Sequence, residues 1–193
     1  MATRDRILDT ALASFADRGF EATSLDALAS SLGVRKQTIL YHFGSKDALL
    51  DAVIDRSATD LAGALERALA KAGPGFLRVD ALVKTVFRLA ARRPELLGLL
   101  REVSRLGPPA TTRLMDALDP LIERARAFLE AEMDAGNMRR QDPRLLLLSA
   151  YSTVIGVTTE VEVLRAVGVE PTTRSLLRRR NELIEFLRSA LVS

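Results

Sequence analysis

Between Ser24 and Phe43 the chain sets two short apolar-periodic segments around one glycine, a pattern that few folds accept. Leu25, Leu28 and Leu32 recur at helical spacing, and Ser24 ahead of them offers a hydroxyl that can accept from a free first-turn N–H. Ala29 is small where a second helix must come close. Gly33 stands where the chain leaves the helix, which calls for a left-handed backbone without Cβ strain. Val34 plugs the corner, and Ile39 turns inward from the second segment. The reading is a helix-turn-helix, a unit whose second helix can enter the major groove of DNA.

Such a unit cannot bury its apolar side alone, so a preceding helix is expected. Residues 4–18 supply it, with Thr3 as cap, Asp5 at the positive end and Ile7, Leu8, Ala11, Leu12 and Phe15 on one face. Phe43-Gly44-Ser45 then breaks the chain, and Ser45 caps a long helix running from Lys46 to about residue 71. Helices follow over residues 76–91, from Pro94, and over 111–135 with a kink at Pro120. Asp142 caps a single apolar helix over 143–167, and a last helix covers 173–191. No period-two strand pattern occurs. The expected fold is all-α, with about nine helices. A three-helix, helix-turn-helix DNA-binding head occupies 1–46, and a larger helical body occupies 47–193.

Composition narrows the partners. The 193-residue chain has no cysteine, hence no disulfide and no thiolate chemistry. The apolar run from Leu145 to Thr159 is shorter than the roughly 20 residues that span a bilayer, and the start lacks an apolar leader. A cytoplasmic protein with no membrane partner is expected. The net charge of +3 says little about nucleic acid, because residues before Ser57 carry more Asp and Glu than Lys and Arg. Placement says more. From Gly33 to Lys46 the charges are Arg35, Lys36 and Lys46 with no acid among them, the local positive face that phosphates require.

Three linked segments, Gly19 to Ser24, Gly33 to Ile39 and Tyr41 to Leu49, resemble the TetR family of bacterial transcriptional regulators over about the first quarter of the chain. The resemblance implies that the body over 47–193 has ligand-binding and dimerisation roles, with a homodimer built on the last two helices (143–167 and 173–191) and a ligand pocket in each body. It also implies a head that leaves its DNA operator when ligand binds. Two positions depart from the family pattern. Arg35 replaces a common capping serine and offers a phosphate contact instead, and Leu40 stands where a tyrosine is frequent.

Lys36, Gln37 and Thr38 open the reading helix, where side chains face base edges: Gln37 suits adenine, and Lys36 suits guanine or a phosphate. The bland alternative is a solvated helix start. Tyr41 and His42, a turn later, can reach phosphates. A lone histidine is more often structural, but in heads of this kind such a pair grips the backbone. Lys46 behind Ser45 adds charge to free helix N–H groups. Thr23 and Ser24 cap the turn, and at least one of them touches phosphate. In the body, Phe87, Leu97, Leu100, Met115, Leu118, Phe128, Tyr151, Ile155 and Thr158 are pocket candidates, although such apolar residues are more often plain core.

The function expected is a homodimeric, ligand-responsive transcriptional regulator, a repressor released from a palindromic operator by a small, largely apolar effector. A DNA-binding regulator governed by a protein partner is the rival reading. Enzymatic chemistry is disfavoured by the absence of cysteine, a single histidine already placed, and no glycine-rich phosphate loop or metal-ligand cluster. No cofactor or metal is expected.

Overall fold

Every regular element among the described residues, 3–192, is a helix in the computed structural model. In chain order these are α1 (Thr3–Arg18), α2 (Leu25–Leu32), α3 (Lys36–Phe43), α4 (Lys46–Leu69) and α5 (Phe76–Arg92). They continue with α6 (Pro94–Leu106), α7 (Ala110–Asp134), α8 (Pro143–Thr159), α9 (Val161–Ala166) and α10 (Thr173–Leu191). No helix is long and apolar enough to cross a membrane, among the described residues. The first helix already includes Thr3, the residue expected to cap it.

Packing gathers the chain into two units. The first holds the described residues up to Leu61 together with Pro94–Leu118, and the second holds Ala62–Arg93 with the residues from Asp119 onward. Within the first unit α1 packs on α2 and α6, and α2 packs on α3. The inner face of α1, Ile7, Leu8, Ala11, Leu12 and Phe15, is fully buried. Each buried Leu, Ile or Phe there contributes roughly 1.5–3 kcal/mol by leaving water. Gly98 lets α6 come in close, because a Cβ there would stand 3.0 Å from the Ala16 Cβ. Ion pairs lace the rim, with Arg56 on Asp9 and Arg113 forked onto Asp55 at 2.5 and 2.8 Å.

In the second unit α10 lies against α5 and α8. Val83 and Phe87 meet Leu183, Ile184, Leu187 and Leu191 in its core, flanked by Leu129, Met133 and Met138. The single helix expected over 143–167 is in fact two. At Glu160 the backbone leaves the helical region (φ −84, ψ 66), which separates α8 from α9. The hydroxyls of Thr158 and Thr159 donate to the Val154 and Ile155 carbonyls, back-bonding that bends helices where they occur. The apolar pattern runs straight through this break and conceals it.

Candidate nucleic-acid interface

The turn between α2 and α3 is built by short-range hydrogen bonds. Ser24 adopts extended backbone angles, and its Oγ accepts the Ala27 N–H at 3.1 Å. At the far end Gly33 sits at φ +67, with its N–H donating to Ser30 O at 3.2 Å, while Val34 N–H reaches Ala29 O at 3.0 Å. That paired closure of a helix C-terminus needs the left-handed glycine. Arg35 then starts α3 with no side-chain cap, and Ile39 anchors the helix with its side chain wholly buried. Ser45 caps α4, its Oγ accepting from Ala48 N–H at 3.0 Å.

Burying Ile39 turns the opposite side of α3 outward. Gln37 and Tyr41, one turn apart, are exposed, and Tyr41 is 87% accessible, an extreme for an aromatic ring. Its ring meets that of His42 edge-on, with centroids 5.3 Å apart. Arg35 and Ser24 are exposed beside them, and Lys36, Thr38, His42 and Lys46 are half-buried. Two of the lysines are held within the protein. Lys36 Nζ lies 2.9 Å from an Asp26 carboxylate oxygen, and Lys46 Nζ stands 4.2 Å over the Phe20 ring while donating to Glu21 O at 3.4 Å.

Thr23, expected with Ser24 to cap the turn and to give at least one phosphate contact between them, turns inward, and Ser24 is the cap. Thr23 is 3% exposed, and its hydroxyl donates to the Gly19 carbonyl at 2.8 Å, tying the α1–α2 corner together. Ser24 alone of the pair faces solvent. Two cations that sequence reasoning passed over also lie here. Arg4 sits 5.3 Å over the Phe43 ring, and Arg6 donates to Leu32 O at 3.3 Å, at the negative end of α2. Their partners lie dozens of residues away, so no local pattern announces them.

The candidate pocket residues divide between the units. Leu97, Leu100, Met115 and Leu118 belong to the first, and Phe87, Phe128, Tyr151, Ile155 and Thr158 to the second. Leu97, Leu100, Leu118 and Phe87 are core, whereas Met115 and Tyr151 are exposed. Phe128 packs on the Leu129 cluster beneath the Arg78 guanidinium, and Ile155 is half-buried. A cleft of about 310 Å³ in the second unit is lined by Pro74, Gly75, Phe76, Glu132, Asn137 and Val192, none of them among the nine. Among the described residues, no group of three or more His, Cys, Asp or Glu is placed to hold a metal ion.

An all-helical chain that presents a capped helix-turn-helix, with an outward aromatic and basic second helix, is of the helix-turn-helix class. Residues 7–53, about a quarter of the chain, match the family model of the bacterial regulatory proteins, tetR family. Over 48 residues it is 35% identical to the biofilm operon icaADBC HTH-type negative transcriptional regulator IcaR of Staphylococcus aureus, a match covering 25% of this chain and 26% of IcaR. It is also 26% identical over 153 residues to the HTH-type transcriptional regulator RutR of Escherichia coli K12, covering 79% of this chain and 72% of RutR. In fold it resembles a Saccharomonospora viridis protein solved in complex with choline (TM-score 0.79, 23% identity, 98% of this chain and 97% of that one).

Proposed function

We propose that the chain is a ligand-responsive transcriptional regulator, a repressor that binds a palindromic operator as a homodimer and is released by a small-molecule effector. Residues 1–46 would carry the DNA contacts, and 47–193 the effector and dimer functions. The outward face of α3 carries the DNA part of this reading. Tyr41, 87% exposed and touching only the neighbouring His42 ring among the described aromatic groups, stands on the same outward face as an uncapped, basic helix start. Gln37 would read base edges and Lys36 a guanine edge together with an adjoining phosphate, with Arg35, Ser24, Thr38, Tyr41, His42 and Lys46 on the backbone.

The dimer is supported by apolar side chains left open in the second unit. Leu145 and Leu148 line α8 at three-residue spacing, and Phe186 on α10 is 62% exposed. Exposed apolar surface of this kind marks association sites. An effector is supported by the choline held in the Saccharomonospora viridis protein of like fold. For this chain a largely apolar molecule is the proposed effector, and Phe87, Phe128, Tyr151, Ile155 and Thr158 are the contacts offered by the second unit. Repression follows the negative regulator IcaR, whose likeness lies over 48 residues. Such a protein would work in the cytoplasm and catalyse no reaction.

The test selects a duplex from a random-sequence library with the unaltered chain and measures its affinity by fluorescence anisotropy. Replacing Lys36, Tyr41 and Lys46 together by alanine is expected to weaken binding of that duplex about a hundredfold and to flatten the salt dependence by about two, one for each lost cation–phosphate contact. Unchanged affinity in the triple variant overturns the assignment of α3 as the reading helix.

A further inference from the structure

The α1–α2 corner is held by a side chain from far along the sequence. Glu102, on α6, is 7% exposed, and its Oε1 accepts the backbone N–H of Phe20 at 2.7 Å. Arg105, one turn on, fixes the carboxylate from the other side, donating to Oε2 at 2.8 Å and to Oε1 at 2.7 Å. Gly19 makes the approach possible. Its φ is +88, and a Cβ there would press to 3.2 Å from the Glu102 Oε1. Nearby, α6 reaches α1 at the close crossing of Gly98 and Ala16.

What this corner supports is Lys46. The Phe20 ring, itself edge-on to Phe15 at 5.4 Å, lies under the Lys46 ammonium, and Glu21, the next residue, gives that ammonium a carbonyl acceptor. Fixing the Phe20 N–H therefore fixes both halves of the seat on which the ammonium rests. Lys46 is also the first residue of α4, directly behind the Ser45 cap and the Gly44 turn that end α3.

We infer that Glu102, although outside the three head helices, is a positioning residue for DNA binding, acting through Phe20 and Glu21 to set the Lys46 ammonium at the phosphate backbone. The inference rests on the DNA-binding reading above. Without Glu102 the Phe20 N–H would lose its buried acceptor, the corner would relax, and Lys46 would lose its defined seat. With Glu102 in place the ammonium is oriented before DNA arrives, and less side-chain freedom is lost on binding.

A double-mutant cycle tests this, using the duplex selected by the unaltered chain and variants confirmed folded by circular dichroism. Lys46→Ala and Glu102→Ala are each expected to weaken binding about five- to tenfold and to reduce the salt slope by about one. Together they are expected to weaken it no more than either alone, because both remove the same contact. Glu102→Gln, which keeps an acceptor for Phe20 N–H, should restore affinity to within about twofold of the unaltered chain. Fully additive losses, or a Glu102→Ala variant that binds normally, overturn the inference and leave the DNA reading standing. If Glu102→Ala does not fold, Arg105→Ala takes its place in the cycle with the same expected non-additivity. An unaltered chain that retains no duplex overturns the DNA reading itself.

Discussion

Asp26 holds the Lys36 ammonium at 2.9 Å, and both groups stay open to solvent. A pair of that kind contributes at most about 1 kcal/mol, so Asp26→Asn is expected to leave the thermal midpoint nearly unchanged. Its electrostatic effect on DNA should be larger. Removing an anion beside the start of α3 is expected to raise duplex affinity about two- to fivefold and more strongly at low salt. Anisotropy titrations at two salt concentrations check this, and an affinity that does not move would place Lys36 away from the phosphates. Glu102 behaves in the opposite sense. Arg105's hydrogen bonds hold its carboxyl below the ordinary glutamate value; burial pushes upward, and the Phe20 N–H adds to the lowering. A depressed carboxylate contributes stability that is fully present above its unfolded value and is lost as pH falls through the folded one. The stability gap between the unaltered chain and Glu102→Gln is therefore expected to shrink as pH drops below the ordinary carboxylate range, read by thermal melts in steps of pH. A gap constant with pH would contradict the ionic role. At this scale the sequence revealed caps and turn residues, whose partners lie within a few positions. It concealed Thr23 turning inward, Lys46 resting on Phe20 and Glu102 reaching across 82 positions, because those depend on which helices meet.

The helix-turn-helix was legible as an element because each of its signals is local. Ser24, Gly33 and Ile39 occupy in the structure the roles that their spacing implied, and α3 spans Lys36–Phe43 with the uncapped Arg35 before it. Gly33 offers the sharpest check. A Cβ there would meet nothing within 4 Å, so any cost of Gly33→Ala arises from its φ of +67 alone. That strain is expected to destabilise the chain by about 1–2 kcal/mol, lowering the melting temperature by several degrees, while Gly33→Asn costs less because asparagine tolerates the left-handed region. An alanine variant as stable as the parent would mean that the turn has another conformation. The break at Glu160 shows where element reading fails. Val154, Ile155, Val161 and Leu164 continue a helical apolar rhythm across it, and the side-chain hydroxyls that favour the bend carry no periodic signature.

For the whole molecule, chain order misleads about which helices belong together. Residues of α6 lie far beyond the head in sequence, yet Pro94–Leu118 packs with the residues up to Leu61, and composition alone cannot show that. The proposed dimer makes its own demand at this scale. If Leu148 on α8 and Phe186 on α10 are exposed in one chain because a second copy covers them, charging both positions must separate the copies. Leu148→Glu with Phe186→Glu is expected to convert the protein from dimer to monomer in sedimentation velocity, with each chain still helical by circular dichroism. Two reading helices must also sit about 34–36 Å apart to engage successive major grooves. The monomer should therefore keep its weak grip on a single half-site and lose the gain from joining two, a fall of about 10²-fold or more on the full palindrome. Equal losses on half-site and palindrome would instead trace to damage in the head. A variant that stays dimeric would send the interface elsewhere and leave these apolar side chains needing another partner.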